Sequence, residues 1–176
     1  MRRFALASLG LVLLLLAIFA VAQWLQIPIL TDPTPWLSRG RPLAASISFG
    51  LLLADVLIPV PSSLLMIANG TLFGLWGGAT LSLAGGLGAA LAGWAIGRRG
   101  GALLARTLTP GERDTARRLV ERWGVLAVII TRPVPVLAET VAIMAGAAGM
   151  SMPRVALGAA AGLLPLVIFY AWIGAL

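Results

Sequence analysis

The chain is built of long, nearly uniform apolar runs separated by short polar or proline-rich gaps. The first run, residues 4–25 (FALASLGLVLLLLAIFAVAQWL), directly follows Arg2 and Arg3. It predicts a transmembrane helix in an N-terminal segment, 1–27, entered from the cytoplasm. Ala20-Val21-Ala22 also has the form of a signal-peptidase site, so a cleaved leader is the competing reading. Residues 28–42 carry four prolines and a few polar groups and are expected to form an external loop. From Leu43 to Gly97 the chain is almost continuously apolar, too long for two plain spans joined by a tight turn, and it is broken by Ile58-Pro59-Val60-Pro61-Ser62-Ser63. Proline lacks an N–H and clashes with the preceding turn, so two of them one residue apart end a helix. Broken backbone at membrane depth is tolerated only inside protein or beside a water-filled cavity. Residues 43–69 are therefore expected to be a re-entrant hairpin that enters from outside and turns at Pro59–Pro61, with a full span over 72–96.

Small residues at four-residue spacing, Gly70, Gly74, Gly78, Ser82, Gly86 and Ala90, predict one flat stripe for close helix packing along this region. Residues 98–123 form the one strongly polar stretch and read as a cytoplasmic loop. Within it Thr109-Pro110-Gly111-Glu112 has the form of a capping box that opens a short amphipathic helix. The arginines of that helix would lie against anionic head groups or form a solvated face. The chain then repeats itself: Arg132-Pro133-Val134-Pro135 copies Ile58-Pro59-Val60-Pro61, and a glycine pair follows each break, Gly70 and Gly74 after the first, Gly146 and Gly149 after the second. A second re-entrant hairpin is expected over 125–149 and a last span over 155–175. With the N-terminus inside, the first hairpin opens outside, the second opens inside, and the C-terminus ends outside. The predicted fold class is an all-α membrane protein, an inverted repeat of two re-entrant hairpins plus about three full spans.

Composition sharpens this picture. Hydrophobic residues make up 60% of the 176 and charged residues only 11%, with a mean hydropathy of +1.00, which points to a membrane protein rather than a soluble domain. The net charge of +7 alone would suggest nucleic acid, but in so apolar a chain it reads as a membrane-surface bias, and no nucleic-acid partner is expected. All 13 basic residues are arginine, and ten lie at the N-terminus, in the 98–123 loop or at Arg154, the places assigned to the cytoplasm by the positive-inside rule. Cysteine, histidine and lysine are absent, which removes thiolate and imidazole metal sites, Ser-His-Asp catalysis, P-loop chemistry and Schiff bases. Gly85-Gly86-Leu87-Gly88 lacks the third glycine of a dinucleotide loop, and Asp32 lies in the external loop, away from Asp55, against an intramembrane aspartyl protease. No enzyme activity, cofactor or metal is predicted.

Three ionisable residues remain within the apolar stretches: Asp55, Arg132 and Glu139. Each would cost about 2.5–3.5 kcal/mol at the bilayer centre, so each must pair or line water. If the two hairpin tips meet, all three face one cavity. Arg132 would then contact an anionic head group through its planar fork, the prolines of the two breaks (Pro59, Pro61, Pro133, Pro135) would line the site, and Asp55 and Glu139 would take up protons or form ion pairs. A buried ionic staple is the plain structural alternative.

Taken in order, the acidic residue before Pro-x-Pro, Ala68-Asn69-Gly70 with Phe73-Gly74, Ile96-Gly97-Arg98, Thr131-Arg132-Pro133-Val134-Pro135, Ala145-Gly146 and Gly162-Leu163-Leu164-Pro165 before Tyr170 resemble the DedA/VTT-domain family, also called SNARE-associated Golgi proteins, over roughly residues 45 to 172. The resemblance implies two facing re-entrant hairpins in a plasma (inner) membrane. It also implies transport of an anionic lipid, such as undecaprenyl phosphate or a phospholipid, in some relatives coupled to protons. Asp55 matches the family's acid before the first break and Arg132 its arginine before the second. Two departures stand out: Ser62-Ser63 occupy the place where many bacterial members carry an acid, and the second arginine expected shortly after Arg132 is absent, with Glu139 nearby instead. Membrane lipids with anionic head groups are the expected partners. A membrane-organising protein that works through the arginine-rich loop, or a carrier of a small solute, are the other readings.

Overall fold

A computed structural model describes residues 41–58, 60–107 and 122–176, with scattered positions between 9 and 24; for residues 101–107 and 135 it describes the backbone alone. The expected external loop 28–42 and the amphipathic helix opening at Thr109 lie almost wholly outside the described residues, and within the 1–27 segment every described position is helical. Regular structure among the described residues is entirely helical: α1 (Arg41–Ala54), α2 (Ser62–Thr107), α3 (Arg122–Thr131), α4 (Pro135–Ala147) and α5 (Met152–Ala175). Two of them, over Ser62–Gly100 and Met152–Ala175, are long and apolar enough to cross a membrane.

The helix α2 is two helices joined at a fold. Gly74 has φ 72° and ψ 175°, backbone that a side chain rarely adopts, so the segment 62–73 ends there and a second segment starts at 75. The chain doubles back at this point, and a Cβ on Gly78 would come within 2.6 Å of the Asn69 carbonyl carbon and the Gly70 nitrogen. The single small-residue stripe expected along 70–90 is therefore divided: Gly70 belongs to one segment, Gly74 is the turn, and Gly78, Ser82 and Gly86 belong to the next. The second segment, which holds most of the stretch 72–96, starts after Gly74.

The chain divides into two compact units, one of residues 17–89 with 163–176 and the other of 1–16 with 90–162. In the first, Ala44, Leu52, Leu65, Met66, Ala79, Leu163, Val167 and Ala171 form a buried apolar core. Leu52 rests on Gly85 and Leu53 on Gly88, which seats α1 on the second segment of α2. Gly70 meets the backbone of Ala171, and Gly174 meets that of Ile67 and Thr71, so the 62–73 segment and the end of α5 touch main chain to main chain. Thr71 Oγ1 donates to the Gly174 carbonyl at 2.8 Å across this contact.

The second unit has its own core of Ala145, Met150 and Val155, with Trp94 against it. Gly97 meets the backbone of Ile143 and Ala147, while Gly146 meets that of Trp94 and Arg98. Trp94 Nε1 donates to the Met150 carbonyl at 2.8 Å. A Schellman turn closes α4: Gly149, at φ 84°, donates to Gly146 O at 3.1 Å, and Met150 N donates to Ala145 O at 2.9 Å.

Candidate functional site

Each unit contains an interruption between helices marked by a Pro-Val-Pro sequence, and the predicted site residues stand at or near these interruptions. In the first unit α1 ends at Ala54, and Leu57 and Ile58 both donate to the Ala54 carbonyl at 2.9 Å. The helix cannot continue into Pro61, whose carbonyl instead accepts from Leu64 and Leu65 and opens α2. Asp55 fills the gap left in the ladder. Its Oδ1 accepts the Val60 N–H at 2.8 Å, and the Ser62 side chain also hydrogen-bonds to the carboxylate. The acid thereby ties the end of one helix to the start of the next. Ser62, which stands where an acid was expected, becomes its partner. Pro61 is half-buried, and Pro59 lies outside the described residues.

In the second unit α3 ends in turns in which Arg132 N donates to Ile129 O at 3.3 Å and Val134 N to Thr131 O at 3.0 Å. Pro133 lies exposed in this turn. Pro135 starts α4, and extended Val134 (φ −116°, ψ 99°) caps it without a side-chain bond. Arg132 and Glu139 are both buried, each 7% exposed, and the Glu139 carboxylate acts electrostatically on the guanidinium. Arg132 Nε donates to the Val128 carbonyl at a long 3.4 Å, and Nη2 is buried without a hydrogen-bond partner. A buried guanidinium nitrogen in that state is costly, and it is the kind of group that an anionic oxygen satisfies.

The structure thus brings Arg132 and Glu139 together, while Asp55 stands in the other unit with its own partners. The packing glycines Gly70, Gly78 and Gly146 lie against backbone, and Gly86 lies against the Leu163 side chain. Sequence reasoning missed a buried polar pair, in which Asn69 Nδ2 donates to Ser82 Oγ at 2.9 Å. An asparagine and a serine 13 residues apart within an apolar run were the available signal. No group of three or more Asp, Glu, His or Cys able to hold a metal ion occurs among the described residues.

The family model for the VTT domain matches residues 60–176. The chain belongs to the VTT-domain family. This is the domain of the DedA and SNARE-associated Golgi proteins, and the match covers both of the long apolar helices and the Arg132 break. With that membership and its apolar helices, the VTT-domain chain is a membrane protein whose regular structure is helical throughout the described residues. No curated protein and no solved structure matches it.

Proposed function

We propose that this VTT-domain protein is a transporter, not an enzyme, that carries an anionic, phosphate-bearing lipid across the plasma membrane. The observation that carries the reading is Arg132: a buried cation at a helix break, with Nη2 unmatched by any acceptor and an acid, Glu139, beside it. Such a group is expensive in hydrocarbon, and it is retained where it meets a charged ligand or a pathway. A lipid phosphate offers oxygens to the guanidinium fork while its tails stay in the bilayer.

Two further features support a transporter of the broken-helix kind. The helices α1, 62–73, α3 and α4 are each at most 14 residues long, roughly 21 Å or less, against about 30 Å of hydrocarbon. This suits helices that enter the membrane and turn back, with the interruptions at depth. The contacts also recur: Ile67 and Gly70 meet Ala171 and Gly174 in one unit as Ile143 and Gly146 meet Trp94 and Gly97 in the other. The same spacing in both supports an internal repeat, inverted by the topology, with binding at the breaks. Asp55 and Glu139, one from each half, are the candidates for proton coupling.

The test is reconstitution into liposomes with a fluorescent phosphatidylglycerol and, in parallel, a fluorescent phosphatidylcholine. Wild-type protein is expected to move the anionic probe faster. Arg132→Ala should slow that probe about tenfold or more, the equivalent of at least about 1.4 kcal/mol, and Arg132→Lys should restore part of the rate. Equal flux of the anionic probe in wild type and Arg132→Ala would refute the role given to Arg132. Intact flux with loss of a protein partner on deletion of residues 109–123 would favour the membrane-organising reading.

A further inference from the structure

Arg132 has a long, flexible stem, and its Nε donates to Val128 O at 3.4 Å. That bond is long, and the Glu139 carboxylate attracts the guanidinium electrostatically. The stem is also held by packing. A Cβ on Gly162 of α5 would stand 2.6 Å from Arg132 Cγ, 2.7 Å from Ile129 O and 3.1 Å from Ile129 Cα. The Gly162 Cα surface is therefore the floor on which the side chain lies, and the end of α3 rests beside it. One turn earlier Gly158 meets α3 at other residues: the atoms nearest its added Cβ belong to Val125 and Val128, with Val125 O at 3.1 Å and Val128 Cβ at 3.2 Å. The two glycines have separable tasks, one seating the helix and the other seating the helix end together with the charged side chain.

We infer that Gly162 is a positioning residue for Arg132, setting where the guanidinium stands and hence the preference of the transporter for anionic over neutral head groups. This inference rests on the proposed role of Arg132 and deepens it. A methyl group at 162 cannot be accommodated by rotating a distant flexible tip, because the atom it meets is the γ-carbon near the root of the side chain. The stem must leave its place, and Nη2 moves with it.

The experiment compares Gly162→Ala, Gly158→Ala, Arg132→Ala and the double variant Gly162→Ala/Arg132→Ala in the same liposomes, with fluorescent phosphatidylglycerol and phosphatidylcholine as probes. Gly162→Ala is expected to lose about tenfold of the anionic preference, towards the level of Arg132→Ala. Gly158→Ala, which presses on the same helix, should keep the wild-type preference whatever it does to thermal stability. Adding Gly162→Ala to Arg132→Ala should cost no further preference, since the γ-carbon that it displaces is gone. A folded Gly162→Ala with wild-type preference overturns the inference, as does an equal loss from Gly158→Ala. If Gly162→Ala does not fold, the double variant decides: recovery of folding supports contact with the stem, and failure in both assigns Gly162 to the α3 backbone alone and overturns it. Should Arg132→Ala itself keep full anionic flux, the functional reading falls. An unaffected Gly162→Ala beside a defective Arg132→Ala removes only the positioning role.

Discussion

At the scale of single residues, the two charges beside the breaks do different work, although the sequence presents them alike. Asp55 accepts the Val60 N–H at 2.8 Å and so replaces a missing backbone acceptor. Asn keeps an acceptor oxygen, whereas Ala does not. Asp55→Ala should therefore lower stability by about 1 kcal/mol, the usual cost of losing a cap, while Asp55→Asn should stay near wild type when both are followed by thermal unfolding in detergent. If Asp55→Asn falls as far as Asp55→Ala, the charge and not the hydrogen bond sustains the turn. Asp55 was legible as an anomaly, an acid in an apolar run, but its partner was not. The Val60 N–H becomes available only because Pro61 stops the ladder, and which side chain reaches it depends on how the turn closes. Arg132 was legible in the same way, and its burial together with Glu139 follows from a turn that brings residues seven apart in sequence into electrostatic reach.

Among the elements, proline was the readable punctuation and glycine was not. Pro61 and Pro135 each stand at the start of a helix, as their chemistry requires. The fold at Gly74 was hidden, because Gly70, Gly74 and Gly78 are spaced as on one continuous helix face and the period cannot say which of them carries a positive φ. The consequence for mutation differs from glycine to glycine. Gly146 and Gly97 meet main-chain atoms, which cannot rotate aside, so Gly146→Val should cost roughly 1–3 kcal/mol or more through overpacking. Gly50, on α1, has nothing within 4 Å of its added Cβ, and Gly50→Ala should be neutral or gain up to about 1 kcal/mol of helix propensity. Resistance to proteolysis in detergent ranks the two, and a Gly146→Val protein as resistant as Gly50→Ala would show that the backbone contact is dispensable.

For the whole molecule, topology is the quantity to measure, and the absence of cysteine makes single-cysteine labelling free of background. Trp76, next to the Gly74 fold, and Met152, at the start of α5, are both exposed. The inverted arrangement expects Trp76→Cys to react with an impermeant maleimide added outside intact cells, and Met152→Cys to react only after permeabilisation. Labelling of both from one side would rule the inversion out. A helical membrane protein with long apolar helices could be read from hydropathy alone. The two-unit division could not, because each unit completes itself with chain from far away.

That last property has a consequence in time. Thr71 bonds to Gly174, 103 residues further on. A ribosome adding about 5–20 residues per second reaches that partner roughly 5–20 s after the 62–73 segment is made. The backbone groove at Gly70 must therefore wait in the membrane, or in the insertion machinery, for α5 to arrive. The other half waits about half as long, since Ile143 follows Gly97 by roughly half that number of residues. The two halves share one contact geometry but close at different times: Gly70 is made before Gly97, yet the contact at Gly97 is completed first.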